Sequence, residues 1–518
     1  MNEVDAHPRR TLCIRLGVLT VAAVLIDLGS IHTWHQADSL LPVLVSTLRW
    51  TFYYWEQNRY GMLTALLAQP FSDPFVNLLV QNGITIWAGL ATFPLASAYY
   101  GLRKPWLAGA VAATLYVAMT PAMMQWTFFS TYNVFSVSLA LGLAGLNALS
   151  QTRWSWTVRL GVAASCFLLG SWVNSALGLL LAPLVVLVPF LRTLCASGFI
   201  PEVGTAIPFN PQVPIRHSVP SSGASPEARR IAGSTLREVT VGLAFCGFGI
   251  VAAMMMQRTT PYRTTWIVLP PTVEWRGQFA HALETILRES DPILLWLTWT
   301  WTALVLVAAA VALRRRTGIT EVRRAALLPA FVLMASLAYA AAMLILFAGR
   351  WRYAVPSMLM IHVAVFGTFV SFATALWSPR RLLLGEFGSA FALMIAIVAA
   401  WGWPSPQRAK EELFDRHDTG VAELVQSRAT HLTGDYWRVW PAVFCVNQTY
   451  SDLGDDRRLW GVTFRSEPTF GQWTAIPPSE RRIAAFTSDD EAQKYRDWFS
   501  EVLKKTETDR PIEIWVTE

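Results

Sequence analysis

The sequence predicts a polytopic α-helical membrane protein of about eleven transmembrane helices, followed by a small extracytoplasmic α/β domain at the C-terminus. Three observations predict it. Hydrophobic residues make up 53% of the 518 and charged residues only 15%, with a mean hydropathy of +0.36, which suits a bilayer as solvent. Apolar runs of the length needed to cross the hydrocarbon core recur along the chain. The material after residue 403 differs in kind, carrying 15 lysines and arginines against 20 aspartates and glutamates.

Taken in order, the runs lie at 12–31, 77–100, 105–121, 133–150, 159–172, 175–192, 238–256, 291–313, 325–347, 354–377 and 382–403. The start, "MNEVDAHPRRTLCIRLGVLTVAAVLIDLG", is basic and then apolar with no small-residue cleavage site, so it reads as an uncleaved first span. With the N-terminus in the cytoplasm, every inner loop is basic: Arg103 and Lys104; Arg153 and Arg159; Arg192 to Arg237; Arg314 to Arg316 with Arg323 and Arg324; Arg380 and Arg381. The segment 159–192 around "GSWVNSALG" reads as two short spans or one kinked helix, and one span there would reverse everything downstream.

This topology makes 1–403 a transmembrane module and leaves 404–518 outside as a domain of about 110 residues, large enough to fold by itself. It also places outside a first loop, 32–76, and a later one, 257–290. The inner loop 193–237 is rich in Pro, Ser and Gly and reads as disordered. In the first loop, "DSLLPVLVSTLRW" and "RYGMLTALLAQPF" carry apolar residues at helical spacing, which predicts two amphipathic helices lying in the interface. The net charge of +7 reports cytoplasmic arginines rather than nucleic acid, and the five scattered cysteines form no disulfide framework.

Candidate chemistry gathers outside. Asp38 opens the first interface helix, either as an N-cap or as an acid whose partial desolvation suits proton transfer. Glu56, in "YYWEQNRYG", is a second such acid or one half of a rim pair with Arg59. Asp73 reads as a turn and cap residue, and Asp27, in the last turn of the first span, needs a partner inside the bundle. His32, His35 and Asp38 are ordinary metal-ligand types at a spacing that matches no known signature, so a divalent metal is the only cofactor left open. Arg350 and Arg352, beside Tyr353 in "FAGRWRYAVPSML", read as a phosphate clamp or as snorkelling anchors. Arg258, Arg263 and Arg276 add basic charge on the same side, and His281 with Glu284 reads as a surface pair. Aromatic platforms for sugar or acceptor occur at Trp55 and, in "HLTGDYWRVWP", at Tyr436, Trp437 and Trp440, with Asp435 and Arg438 as polar partners; core packing is the other reading. No catalytic triad, P-loop or GxGxxG turn is present, which argues against nucleotide-driven chemistry.

In layout the chain resembles the glycosyltransferase C (GT-C) superfamily. The resemblance rests on a span, an acidic first outer loop ("ADSLLPVL…YYWEQNRYG"), many further spans, an outer Arg-Tyr segment ("GRWRYAVP") and a C-terminal segment with "GDYW". It implies a GT-C-like fold in a bacterial inner membrane and a polyprenyl-phosphate sugar donor among membrane lipids. Transfer would go, with inversion, to an envelope glycan, lipid or protein acceptor outside the cytoplasm. It also implies Asp38 as general base, Glu56 as the second acid, and a departing phosphate held by Arg350, Arg352 and Tyr353 with help from Arg59. Ser39 stands where the family often has a second adjacent acid. The rival readings are a transporter or flippase of lipid-linked saccharide, which would favour ionisable groups at the midplane, and a non-catalytic envelope-assembly protein.

Overall fold

Apolar runs become helices because only a helix satisfies its own backbone in a solvent that offers no hydrogen bonds. The computed structural model describes residues 8–53, 61–102, 104–120, 122–131, 135–151, 153–196, 226–259, 271–289, 355–375, 379–418, 420–463, 475–486, 503–506 and 512–517, with isolated positions 300, 303, 307, 340 and 341. The helices are α1 (Pro8–Trp34), α2 (Ala37–Thr47), α3 (Leu63–Ala68), α4 (Pro74–Tyr99), α5 (Pro105–Met119), α6 (Ala122–Phe129), α7 (Phe135–Ser150) and α8 (Trp156–Val173). There follow α9 (Leu177–Ala196), α10 (Pro226–Arg258), α11 (Trp275–Glu289), α12 (Val355–Ala375) and α13 (Pro379–Trp401). Among the described residues, five stretches are long and apolar enough to cross a bilayer: Thr11–Ser30, Pro74–Tyr99, Trp156–Val173, Thr235–Arg258 and Leu384–His417. Helices fall on nine of the expected runs. The runs at 291–313 and 325–347 lie outside the described residues apart from the isolated positions. The stretch 159–192 holds two helices, α8 and α9, separated at Asn174, whose backbone is extended (φ −147°).

In the apolar bundle α4 contacts α1, α5 and α7; α7 contacts α8; α10 contacts α8 and α9; and α5 contacts α12 and α13. Small residues set the crossing distances, as expected where lipid offers no hydrophobic penalty for separation. At Gly109 of α5 the backbone of α4 comes so near that an added Cβ would lie 2.6 Å from the Pro94 Cα. One ion pair ties α1 to α13: Arg15 Nη2 donates to both carboxylate oxygens of Glu386 at 2.9 Å, with the guanidinium 5.4 Å from the Trp106 ring centroid.

After α13 come α14 (Pro406–His417), α15 (Val421–Ser427) and α16 (Tyr436–Asp452), with strands β1 (His431–Thr433), β2 (Trp460–Val462), β3 (Arg482–Phe486), β4 (Leu503–Thr506) and β5 (Ile512–Thr517). The sheet order is β2-β1-β3-β5-β4; β1 runs parallel to both β2 and β3, while β5 is antiparallel to β3 and β4.

The first loop departs from the expected pair of interface helices. Ten of the eleven residues of α2 are buried, and one apolar cluster joins Leu40, Leu41 and Leu44 to Phe75 and Leu78 of α4 and to Val439, Trp440 and Val443 of α16. The helix is a buried spacer between the bundle and the C-terminal segment, so the cluster runs straight across residue 404. Its polar residues are few and each is met by protein. Ser46 Oγ donates to the Ala65 carbonyl at 2.8 Å and accepts from Asn77 Nδ2 at 2.9 Å. Gln81 Nε2 donates to the Pro42 carbonyl at 3.1 Å. The second helix shrinks to six residues, α3, with Leu66 and Leu67 exposed.

Asp73 caps α4 as expected, accepting from the Val76 N–H at 2.9 Å ahead of Pro74 at the first helical position. Gln448 of α16 then takes the Phe75 N–H at 2.7 Å and donates to Asp73 Oδ2 at 2.7 Å, so the start of α4 is the docking point for the C-terminal segment. Gly109→Ala is expected to push α5 off α4 and lower stability by about 1–3 kcal/mol. A thermal melt of the detergent-solubilised protein unchanged by the substitution would show that the crossing has slack.

Candidate functional site

α2 begins where the extended residue Gln36 (φ −131°, ψ 179°) turns into the helix. Ser39 closes on it: the Gln36 N–H donates to Ser39 Oγ at 2.8 Å, and Ser39 Oγ donates to the Gln36 carbonyl at 2.9 Å. The N-cap is therefore Gln36, not Asp38. Asp38 sits two residues into the helix, its capping duty taken by neighbours, and is only 9% exposed. From across the chain, Thr131 Oγ1 donates to the Ser39 carbonyl at 3.1 Å and fixes this end of α2 against the turn after α6.

The residue that meets Asp38 comes from α16. Tyr436 Oη donates to Asp38 Oδ1. Its ring is 1% exposed and stands edge-on to Trp437 (centroids 5.3 Å apart) and Trp440 (6.4 Å). The segment "TGDYW" positions it. β1 ends at Thr433, Gly434 takes φ +141°, a value that favours glycine, and Asp435 caps α16 by accepting from the Trp437 N–H at 3.0 Å. Because β1 lies between two parallel neighbours, and the chain passes first to β2 through α16 and then back to β3, the carboxyl end of β1 is a topological switch point. Sheets of this kind open a crevice there.

The aromatic trio of the C-terminal segment separates by helix phase. Tyr436 and Trp440, one turn apart, face the core, and Trp440 is fully buried; Trp437, turned away, is half exposed. Of the expected sugar platforms in this segment, Trp437 alone keeps an open face, and the Tyr436 ring is packed away with its hydroxyl given to Asp38. Arg438 lies 4.4 Å above the Phe486 ring. Trp55, Glu56, Arg59, Arg350, Arg352 and Tyr353 lie outside the described residues, as does Arg263. His281 and Glu284 are both exposed on α11.

Among the described residues no group of three or more His, Cys, Asp or Glu side chains could hold a metal ion. The His32 side chain lies outside the described residues, and the His35 ring is fully buried with neither nitrogen hydrogen-bonded. Burial, helped by the charge of nearby His417, pushes His35 down to about 3. The Nε2 of His417 contacts the His35 carbonyl at 3.1 Å. Burial also pushes His431 of β1 down to about 3, with Arg481 adding to the effect. Asp27 has the partner its position demands: Asn82 Nδ2 of α4 donates to its Oδ1 at 2.6 Å. The signal for that pair was Asn82 itself, an amide in the middle of an apolar run.

No family model matches the chain, and no curated protein does. Among solved structures it is similar to ArnT from Cupriavidus metallidurans bound to undecaprenyl phosphate, at 12% identity over 98% of this chain and 98% of that one, with a TM-score of 0.45. It is also similar to the Archaeoglobus fulgidus oligosaccharyltransferase in complex with Zn and sulfate, at 11% identity over 90% of this chain and 68% of that one, with a TM-score of 0.33.

His35 and His431 are neutral in the fold, whereas an unfolded chain protonates histidine near pH 6.5. Between about 6.5 and about 3 the unfolded state binds more protons, so stability falls as pH drops through that window, by up to about 1.4 kcal/mol per unit for each histidine. His35→Leu removes one of these groups along with two unsatisfied ring nitrogens. It is expected to hold or raise the melting temperature at pH 7 and to make the acid-side decline shallower. An unchanged acid slope would place the neutral histidine elsewhere.

Proposed function

We propose that the chain is a membrane glycosyltransferase. It moves a sugar from a polyprenyl-phosphate-linked donor to an envelope glycan, lipid or protein acceptor on the extracytoplasmic face of a bacterial inner membrane, with inversion and with Asp38 as general base. The observation that carries this reading is the setting of Asp38: a nearly buried carboxylate at the start of α2, held by a phenol from the C-terminal segment where the first loop packs on α16. An acid so placed is shielded from bulk water, and the Tyr436 that holds it packs edge-on against the half-exposed Trp437, on which a sugar ring stacks.

The chemistry needs few parts. Asp38 takes the proton of the acceptor hydroxyl, and the freed oxygen attacks the anomeric carbon from the face opposite the donor phosphate. The bond from that carbon to the phosphate oxygen breaks, and polyprenyl phosphate leaves with the electron pair. No strong acid is required if its charge is held, and Arg350, Arg352 and Tyr353, with Arg59, supply the donors for it. Glu56 is the second acid, and Trp55 joins Trp437 in the sugar or acceptor site. The N-terminus lies in the cytoplasm and the C-terminal segment outside.

One observation favours a transporter or flippase of lipid-linked saccharide instead: Asp27 is buried within a stretch long enough to span the bilayer. Its hydrogen bond to Asn82 gives it an equally good structural role in joining α1 to α4. Two substitutions separate the readings in proteoliposomes given a panel of polyprenyl-phosphate hexoses and pentoses with an envelope glycan fraction. Asp38→Asn is expected to lower transfer by about 100- to 10,000-fold with the protein still inserted, and Asp27→Asn to leave most of it. Lipid-linked sugar flux lost in Asp27→Asn, with transfer indifferent to Asp38→Asn, would replace the enzyme by the transporter.

A further inference from the structure

We infer that Tyr436 is a positioning residue for Asp38, setting the rotamer of the base and thereby making catalysis depend on docking of the C-terminal segment. This rests on the proposed function. A carboxylate near the start of a helix tends to fold back toward the free N–H groups there, because those donors and the helix dipole attract it. At α2 two of those donors are taken by Gln36 and Ser39: the Ser39 N–H reaches the Gln36 carbonyl at 3.0 Å, and the Gln36 N–H reaches Ser39 Oγ at 2.8 Å. Across the packed face of the helix, Tyr436 donates to the Asp38 carboxylate.

Tyr436 is well suited to fix that direction. It is the first residue of α16, directly after a capped turn, and its ring is locked edge-on between Trp437 and Trp440, so the hydroxyl has little freedom once the backbone is set. The backbone in turn is held to the first loop by the shared core of α2, α4 and α16, and by Gln448 at the start of α4. The hydroxyl and the carboxylate are 398 residues apart in sequence. The base is therefore completed by tertiary docking and not by its own loop.

Tyr436→Phe keeps the ring and its packing and deletes the donor. In the same proteoliposome assay kcat is expected to fall about 10- to 100-fold, with KM for donor and acceptor within about twofold and the melting temperature nearly unchanged. In an Asp38→Asn background the same change is expected to cost little further, because the two residues act as a unit. A kcat within about twofold of wild type would overturn the positioning role, as would a loss expressed in KM alone, which would make Tyr436 a substrate contact. So would a full additional loss on top of Asp38→Asn. If Asp38→Asn itself transfers sugar normally, the glycosyltransferase reading falls and this inference with it, a result distinct from the failure of Tyr436→Phe alone.

Discussion

The constraint on which the rest of the structure depends is that α2 is buried on every side. A helix lying at a membrane surface can leave its polar residues in water, but one packed between a helix bundle and a second layer of protein must find each a partner. Leu40, Leu41, Val43, Leu44 and Val45 are wholly removed from solvent, and burying side chains of that size contributes about 1.5–3 kcal/mol each. Ser39 and Ser46 return hydrogen bonds to backbone, the Pro42 carbonyl accepts from Gln81, and Asp38 accepts from Tyr436. Apolar area holds the layers together, and these few polar bonds decide in which register they meet.

Two polar systems flank α2. Toward the bundle, Asn77 Nδ2 lies 2.9 Å from Ser46 Oγ, 2.8 Å from the Ala68 carbonyl and 2.9 Å from that of Phe71, while its Oδ1 accepts from Gln81 at 2.7 Å. That amide ties the end of α2 and the turn after α3 to α4. Toward the C-terminal segment, Gln448 spans Asp73 and the Phe75 N–H, so the N-terminus of α4 presents an unfilled backbone donor that α16 fills. The first system is largely buried and the second partly so, and Asp38 meets α16 through its own bond to Tyr436.

Much of this was legible in the sequence, and what was not failed for definite physical reasons. Run length located the helices, and "SDPF" announced the cap of α4 because aspartate before a helix-starting proline has few other uses. The phase of "YWRVW" separates Tyr436 and Trp440 from Trp437 by helix geometry alone. The setting of α2 was not legible, since an amphipathic pattern reports that one face avoids water without saying whether lipid or a second protein layer covers it. The N-cap was misplaced for a related reason: Asp38 has the better capping propensity, but tertiary packing began the helix two residues earlier and let Ser39 serve Gln36. No local pattern announces a bond between residues 38 and 436, because neither segment carries a trace of the other.

The choice of a tyrosine as partner has its own logic. An arginine would hold a buried carboxylate more tightly, but its full positive charge stabilises the ionised form so strongly that the group becomes a poorer acceptor of protons. A phenol fixes direction through one hydrogen bond and brings no formal charge. The histidine just ahead of α2 fits the same pattern, since burial keeps His35 neutral and it brings no cation to this end of the helix. In the proposed mechanism the cationic side chains act on the leaving phosphate, and Arg350 and Arg352 come from a segment far from α2 in sequence. In that proposal the seam between α2 and α16 orients the carboxylate through a neutral phenol and supplies no charge beside it.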